Sequence, residues 1–207
     1  MTRVRVRQHV NPLSDQYRNP VTPPDWSQIY SEITQPLHLD IGCARGKFLL
    51  KMATLYPDIN FLGTEIREPL VTEANHHRDN LGLSNLHFIF CNINHSFEPI
   101  LQSLPQGVLQ WVTIQFPDPW FKQRHSKRRV VQCELVEAIA RYLKNEGVVF
   151  LQSDVEFVQN EMVKHFQNNS HFTQEPLETN PFPVPTEREI ATHNKKQPVY
   201  RTLFKKS

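Results

Sequence analysis

The chain has no long run of apolar residues. Its 207 residues are 39% hydrophobic and 21% charged, a composition typical of a globular domain that buries a core. Its longest apolar stretches, such as residues 147–151, are far shorter than the ~20 residues that a membrane-spanning helix needs. The amino-terminal residues alternate arginine with small apolar side chains and lack the continuous apolar segment of a signal peptide. We therefore expect a cytoplasmic protein with no membrane partner.

Cysteine is scarce as well. Cys43, Cys91 and Cys133 lie far apart in the sequence, and none belongs to a CxxC pair, which argues against both a zinc site and a disulfide framework. His76 and His77 are adjacent rather than one helical turn apart, and no Cys/His cluster accompanies them. We expect three free thiols, buried or half-buried, and no metal site.

Positive charge is concentrated in three segments, although the net charge is only +2. Residues 1–20, 118–131 and 191–207 are basic, and the remainder of the chain is acidic. This distribution suits a polyanion that docks at selected places. For the first or the last segment taken singly, an ordinary solvated surface explains the charge equally well.

After residue 36, short apolar runs alternate with segments of helical periodicity. Predicted strands cover residues 37–41, 61–66, 86–90, 108–116, 148–152 and 199–204, and predicted helices cover residues 46–56, 68–81, 97–104, 127–145 and 155–166. This alternation predicts an α/β fold, a Rossmann-like doubly wound and mostly parallel sheet with helices on both faces, in a single domain. Residues 1–35 are expected to form an irregular basic, proline-rich arm, and residues 36–207 the folded domain. Residues beyond 170 are expected to be a proline-rich loop before the last strand and the basic tail 191–207.

Polar side chains stand at the ends of three successive predicted strands. Asp40 and Gly42 close the first strand, Glu65 the second, and Asn92 follows the third. In doubly wound sheets, ligands bind outside the carboxyl ends of the strands. Glu65 can accept hydrogen bonds from the two hydroxyls of a ribose, and the Asn92 amide can read the edge of an adenine. The sequence therefore predicts a cleft for a nucleoside-bearing ligand.

The glycine-containing loop 42–46 narrows the choice of that ligand. A phosphate-binding loop would need four residues between its glycines and a hydroxyl where Phe48 stands, and Ala44 occupies the second glycine of a dinucleotide fingerprint. Asp40 would repel a pyrophosphate, whereas it suits a cationic ligand without phosphate, such as S-adenosylmethionine. A loop whose glycines only permit a tight turn is the structural alternative.

The fourth predicted strand leads into the stretch FPDPWFKQRHSKRR, residues 116–129. Asp118, held between two prolines, is expected to point into the cleft, while Trp120 and Phe121 offer faces on which a nucleobase can stack. Five cations that can neutralise phosphates follow, namely Lys122, Arg124, Lys127, Arg128 and Arg129. A buried turn with Trp120 in the core is the competing interpretation.

This stretch resembles the signature FPDPWPKKRHHKRR of the bacterial tRNA (guanine-N7)-methyltransferase family. LDIGCARGKF, GTEI and CNI are also similar, and the resemblance extends from about residue 37 onward. It implies a class I methyltransferase fold for residues 36–207, S-adenosylmethionine as cofactor and tRNA as partner. The implied reaction is methyl transfer to N7 of a guanosine in the variable loop, giving 7-methylguanosine. Departures that bear on tRNA affinity or loop geometry are Ala44 for Gly, Phe121 for Pro, Gln123 for Lys and Ser126 for His.

The resemblance also implies roles for individual residues. The expected S-adenosylmethionine site consists of Asp40, Gly42, Glu65, Asn92 and Asp118, and Asp118 is in addition the candidate catalytic residue. The expected substrate-binding residues are Lys122, Asp154, Thr186 and Glu189, together with Arg124, Lys127, Arg128 and Arg129 of the basic cluster. For Thr186 and Glu189, a helix capping box is an equally good explanation.

Guanine N7 carries an exposed lone pair and no proton at neutral pH, so the reaction needs alignment rather than a general base. We expect Asp118 to accept hydrogen bonds from the guanine N1–H and amine and to offset the charge left on the ring. One rival is a related methyltransferase for another amine- or ring-bearing substrate, against which the basic cluster argues. The other rival is a non-catalytic RNA-binding module, against which Asp40, Glu65 and Asn92 argue. No obligatory protein partner is implied, and both a monomer and a homodimer fit the sequence.

Overall fold

The computed structural model describes residues 10–207, so Arg3, Arg5 and Arg7 of the predicted arm lie outside the described residues. Its centre is a seven-stranded sheet in the order β3-β2-β1-β4-β5-β7-β6. The first five strands are parallel, and β7 runs antiparallel to both of its neighbours. The strands are β1 Leu37–Ile41, β2 Asn60–Glu65, β3 Leu86–Phe90, β4 Leu109–Gln115, β5 Val148–Ser153, β6 Phe172–Glu175 and β7 Tyr200–Lys206.

Helices cover both faces of this sheet, which confirms the predicted α/β fold. They are α1 Lys47–Leu55, α2 Glu68–Leu81, α3 Ile93–Gln102, α4 Cys133–Tyr142, α5 Glu156–Gln167 and α6 Glu187–Asn194. One apolar cluster joins β1 to α3, α4 and α5, and a second joins β2 and β3 to α1 and α2. Every residue of β1 and β2 is buried, as expected for parallel strands covered on both sides.

The segment before β1 packs on this core. Trp26 and Tyr30 are buried in the first apolar cluster, with their rings stacked at 5.6 Å. The Trp26 Nε1 donates to Ser103 Oγ at 2.8 Å, and the Tyr30 hydroxyl donates to the carbonyl of Phe61 at 3.0 Å. Part of the predicted arm therefore contributes to the folded domain.

Several predicted elements differ from the structure. The helix predicted over 127–145 begins only at Cys133, because a short 3₁₀ helix, Gln123–Arg128, precedes it and Arg129 is extended. The helix predicted over 97–104 begins four residues earlier, because the Asn92 side chain accepts the Asn94 N–H and caps α3 there. Beyond residue 170 the predicted loop contains β6 and α6.

The cysteine prediction is confirmed in part. Cys43 and Cys91 are buried free thiols, but Cys133 is exposed at the start of α4, so the prediction of a buried or half-buried thiol was wrong there. Between residues 10 and 207, no helix is both long and apolar enough to cross a membrane.

Candidate functional site

The site forms at the point in the sheet where the strand order reverses. Strands β2 and β3 lie on one side of β1, and β4 lies on the other side. This arrangement creates a switch point, where ligands bind in folds of this kind. Two cavities open at that edge, and they share a wall made of Gly42, Arg67, Phe116, Pro117 and Asp118. Asp118, the residue on which the sequence interpretation depends, therefore faces both cavities.

The first cavity is the one that Glu65 and Asn92 also line. It encloses about 750 Å³ of empty space, a figure that includes space open to solvent. The second cavity is wider, about 1240 Å³ counted in the same way, and is lined by Asp40, Phe121, Asp154 and Thr186 among others. The sequence predicted that Asp40, Glu65 and Asn92 line one cleft. In the structure Asp40 lines the second cavity instead, across the common wall from the other two.

Asp40 is buried at the end of a polar chain beneath the site. Its Oδ1 accepts hydrogen bonds from Thr113 Oγ1 at 2.6 Å and from Gln115 Nε2 at 3.3 Å. Burial raises the pKa of Asp40 to about 6 despite these two bonds. His38 Nε2 lies 3.1 Å from the same Thr113 hydroxyl, and burial lowers the pKa of His38 to about 3. Since that hydroxyl donates its one proton to Asp40, the neutral histidine must donate from Nε2.

Glu65 ends β2 with both carboxylate oxygens engaged. Oε1 accepts from the backbone N–H and the Nε of Arg67, at 3.1 and 2.8 Å. Oε2 accepts from the backbone N–H of Ala44 at 3.0 Å and from Arg67 Nη2 at 2.9 Å. The hydrogen bonds with Glu65 raise the pKa of Arg67, and the nearby charge of Asp118 acts in the same direction. A ribose at Glu65 would have to share this carboxylate with Arg67.

Asn92 is tied to both α3 and the amino-terminal segment. Its Oδ1 caps α3 by accepting the Asn94 N–H at 3.2 Å, and its Nδ2 donates to the carbonyl of Pro12 at 3.1 Å. Val10 and Pro12 also line the first cavity. The segment before the sheet therefore forms one wall of this cavity.

The loop that carries Asp118 has an unusual backbone. Phe116 and Trp120, which flank the Pro-Asp-Pro segment, have φ angles of 50° and 43°, in the left-handed region that bulky residues rarely adopt. Such conformations persist only where the surroundings enforce them, and they cluster at functional sites. The Phe116 N–H donates to the carbonyl of Gln152 at 2.7 Å, which fixes the start of the loop to β5.

Arg129 fixes the other end of this loop. Its Nε and Nη2 donate to the carbonyls of Pro119 and Trp120, each at 3.0 Å, and its Nη1 forms an ion pair with Glu161. The side chain is only 7% exposed. The guanidinium of Arg129 is thus buried and bonded within the protein, which argues against the predicted contact with RNA phosphates.

The other predicted cations lie nearer the surface. Lys122, Arg124 and Lys127 are exposed on or beside the 3₁₀ helix. Arg128 is half-buried, with its guanidinium carbon 4.9 Å from the centre of the Trp120 ring, and it lines the first cavity. The basic cluster thus contains three outward cations, one that stacks on Trp120, and one that is internal.

The Thr-x-x-Glu element caps a helix. The Thr186 Oγ1 accepts the N–H of Glu189 at 3.1 Å at the start of α6. Glu189 is buried, and its carboxylate accepts bonds from Arg201, Asn180 and Gln152. These bonds favour the capping and structural explanation for Glu189, whereas Thr186 lines the second cavity and stays a candidate for substrate contact. Burial raises the pKa of Glu189, but the hydrogen bonds from these three partners lower it. The net effect is a lowered pKa.

Sequence reasoning missed several residues of the site. Arg67 pairs with Glu65, and Arg188 forms a 2.5 Å ion pair with Asp154 at the second cavity. The strand-end position two residues after Glu65 could have indicated Arg67, whereas no local signal indicated Arg188. Within residues 10–207, no group of three or more His, Cys, Asp or Glu side chains is arranged to hold a metal ion.

Comparisons with known proteins agree with this geometry. A family model described as a putative methyltransferase matches residues 34–202. A protein from Microcystis aeruginosa named tRNA (guanine-N(7)-)-methyltransferase is 65% identical, over 99% of each chain. Proteins of the same name from Trichormus variabilis and a Synechocystis species are 61% and 57% identical. The match covers 98% of this chain and 96% of the first of these two, and all of both chains for the second.

Solved structures of low sequence identity share the fold. A precorrin-6y C5,15-methyltransferase from Geobacter metallireducens aligns with a TM-score of 0.56 and 16% identity, covering 84% of this chain and 81% of the other. An rRNA methylase from Streptococcus thermophilus aligns with a TM-score of 0.54 and 11% identity, covering 87% and 91%. These likenesses establish the class I methyltransferase fold and nothing about the substrate.

Proposed function

The chain belongs to the tRNA (guanine-N7)-methyltransferase family, and we propose that it transfers the methyl group of S-adenosylmethionine to N7 of a guanosine in the variable loop of tRNA, giving 7-methylguanosine. The observation that carries the proposal is the position of Asp118 in the wall between two cavities. One cavity suits the methyl donor, the other suits the base, and the carboxylate between them can act on both.

The residues of the first cavity and its wall fit the donor. Bound S-adenosylmethionine would supply a methyl group activated by a positively charged sulfur. Gly42 has a φ of 81°, and a Cβ added there would meet no atom within 4 Å, so its backbone leaves room for a ligand. The Thr64 hydroxyl, buried at this cavity, has no partner among the described residues. Glu65 and Asp40 provide the negative charge that a cationic ligand without phosphate requires.

The proposed contacts follow from which groups line each cavity. Glu65 would accept hydrogen bonds from the ribose hydroxyls, sharing its carboxylate with Arg67, and Asn92 would contact the adenine. Asp40, across the common wall, would face the ammonium group. These assignments use the donor and acceptor inventory of each side chain.

In the second cavity, Asp118 has the decisive role for the base. Its carboxylate accepts bonds from the guanine N1–H and exocyclic amine, which fixes the orientation of the base in the cavity. The same charge offsets the positive charge that methylation leaves on the ring. No residue needs to remove a proton, so the protein contributes alignment, and alignment alone supplies about 7–11 kcal/mol in favourable cases. Arg188 and Asp154, paired at the rim, limit where the RNA enters.

The methyltransferase domain comprises residues 36–207, and residues 26–30 pack on it. The reaction takes place in the cytoplasm and needs no second protein. Sedimentation of the purified chain distinguishes a monomer from a homodimer.

Methyl labelling tests the proposal directly. The protein is incubated with S-adenosylmethionine carrying a labelled methyl group and with unmodified bulk tRNA, and the modified nucleoside is then identified and mapped. We expect 7-methylguanosine in the variable loop. Label on another nucleoside, or only on a small molecule, would overturn the proposal.

Asp118→Asn tests the residue that carries it. We expect the rate to fall about 10²–10³-fold with no new pH optimum, because no carboxylate acts as a base. Asp58→Asn, which changes an exposed carboxylate remote from both cavities, is the matched control. A rate that follows the titration of one carboxylate would show base catalysis instead.

A further inference from the structure

Two phenylalanines form an exposed aromatic pair beside the second cavity. The side chain of Phe121, in the loop after β4, is 71% exposed, and that of Phe157, in the first turn of α5, is 40% exposed. Their ring centres lie 5.8 Å apart with an angle of 55° between the planes. Phe121 also lines the second cavity. So much exposed aromatic surface next to a cleft indicates a contact site rather than part of a core.

The protein holds this pair in place. The guanidinium carbon of Arg129 lies 5.2 Å from the centre of the Phe157 ring. The same Arg129 bonds the carbonyls of Pro119 and Trp120, which directly precede Phe121. One buried cation thus supports both the ring on α5 and the loop that carries the other ring.

Exposed cations lie around the pair. Lys122 follows Phe121 directly, and Arg124 and Lys127 are exposed on the adjoining 3₁₀ helix. Aromatic faces combined with exposed cations are the usual surface for unpaired nucleotides, since the rings stack on bases while the cations contact phosphates. This charge favours RNA over a protein partner or a second copy of the same basic surface.

Trp120 is less suited to the same task. Arg128 stacks over its ring at 4.9 Å, and the His125 ring packs edge-on at 5.7 Å. Trp120 is half-buried, whereas Phe121 is the most exposed large apolar side chain described. Of the two aromatic residues that the sequence offered for stacking, the structure favours Phe121.

We propose that Phe121, supported by Phe157, stacks on the nucleobase next to the guanosine that enters the second cavity. Phe121 lies three residues after Asp118, a separation of at most about 10 Å of extended chain. A base on Phe121 is therefore close in the RNA strand to the base at Asp118. Stacking there helps to hold the RNA strand open, so that the guanosine is withdrawn from its pairing. This inference rests on the proposed function and adds a second base-binding position to it.

The test compares tRNA binding by Phe121→Ala, Phe121→Tyr and Leu81→Ala. Leu81 is exposed at the end of α2 and lines neither cavity, so it is the matched control. We expect Phe121→Ala to raise the Kd for tRNA about 5-fold or more, by the same factor at every salt concentration, because no charge is lost. Phe121→Tyr should restore the affinity. Binding of S-adenosylmethionine should be unchanged in all three variants.

An RNA substitution identifies the stacked base. tRNA carrying an abasic nucleotide on one or the other side of the target guanosine should bind more weakly to the unaltered protein. For one of these two RNAs, Phe121→Ala should cause no further loss, which is the non-additivity expected of a direct contact. Additive losses for both RNAs, or an unaltered Kd for Phe121→Ala, would overturn the inference. So would a loss of self-association in that variant with tRNA binding intact, since it would assign the pair to a second copy.

Failure of this inference is distinguishable from failure of the proposed function. If the unaltered protein forms 7-methylguanosine but Phe121→Ala binds tRNA normally, only the stacking position is wrong. If the unaltered protein forms no 7-methylguanosine, the function itself is wrong. Phe121→Leu, which keeps an apolar side chain and removes the flat ring, serves as a second variant and should show most of the loss seen with alanine.

Discussion

The Nη2 atom of Arg129 donates a 3.0 Å hydrogen bond to the main-chain carbonyl of Trp120. Trp120 is one of the two residues near Asp118 whose own backbone lies in the left-handed region. Arg129 therefore acts on the site from inside the protein, whereas Lys122, Arg124 and Lys127 of the same basic cluster are exposed. Within one basic cluster, Lys127 therefore faces solvent, whereas Arg129 stabilises the loop from inside the protein.

Arg129→Ala should destabilise the protein and displace the Asp118 loop. It removes a buried cation that bonds two carbonyls and Glu161, and we expect the free energy of unfolding to fall by about 2–3 kcal/mol. Methyl transfer should fall at temperatures where the variant is still folded, while the salt dependence of tRNA binding stays as in the unaltered protein. Denaturant unfolding and binding titrations at several salt concentrations measure these effects. A flatter salt dependence would show that Arg129 contacts phosphate after all.

Lys127→Ala should act in the opposite way. Lys127 is exposed, so the free energy of unfolding should change little. Each lost phosphate contact, however, makes the negative slope of log K against log salt shallower by about 0.7–0.9. Lys51→Ala, which removes an exposed cation from α1 away from the cavities, is the control and should leave the slope unchanged. Equal slopes for both variants would place the RNA on another surface.

Much of this site could be predicted because the relevant rule concerns strand ends. Asp40, Glu65, Asn92 and Asp118 are far apart in sequence, yet parallel strands bring their carboxyl ends to one edge. The alternation of apolar runs and helical segments predicted those strands without any knowledge of contacts. The convergence of these four residues therefore followed from periodicity and one topological rule.

The sequence was least informative where distant contacts decide the local structure. No residue close to Arg129 in the sequence shows that its side chain is buried, because its ion-pair partner Glu161 lies on α5. The same holds for Glu189, whose carboxylate bonds Asn180, Gln152 and Arg201 from three separate segments. β6 is short, with the polar Thr173 and Gln174 exposed at the sheet edge, so it has too little apolar alternation to be recognised.

The affinity for S-adenosylmethionine should depend on the ionisation of Asp40. Burial raises the pKa of this carboxyl to about 6, and a cationic ligand favours the ionised form. The affinity should therefore rise about 10-fold between pH 5 and pH 7, as the ionised fraction grows. Calorimetric titration measures the change, and Asp40→Asn should remove it. S-adenosylhomocysteine, which keeps the ammonium group assigned to Asp40, should show the same pH dependence. A pH-independent affinity in the unaltered protein would exclude Asp40 from the ligand site.

The stability of the ligand-free protein should change in the opposite sense. Because the folded-state pKa of Asp40 lies above its usual value of 3.8, the folded protein binds more protons than the unfolded chain between about pH 4 and pH 6. This carboxyl therefore lowers the free energy of unfolding as the pH rises through that window. Comparison of Asp40→Asn with the unaltered protein in thermal melts isolates the contribution of this group.

Glu189→Gln should affect stability rather than the reaction. The net lowering of the Glu189 pKa means that its contribution to stability is present above its unfolded pKa and is lost as the pH falls through the lower folded value. We expect unfolding at pH 7 to become easier by about 1–2 kcal/mol, with normal turnover below the melting temperature. Thr186→Ala should cost about 1 kcal/mol through the lost helix cap. A raised KM for tRNA with unaltered melting would instead support a substrate contact.

The position of β4 has a consequence for how the protein acquires its activity during synthesis. β1 pairs with β2 on one side and with β4 on the other, and β4 begins only at Leu109, about halfway along the chain. The earlier strands can associate as they leave the ribosome. The wall between the two cavities, however, is incomplete until the segment that carries Asp118 has emerged. Contacts between such remote segments form slowly. A nascent chain therefore cannot modify RNA until nearly all of it has been translated, since Arg188 of the second cavity lies on α6, which begins only at Glu187.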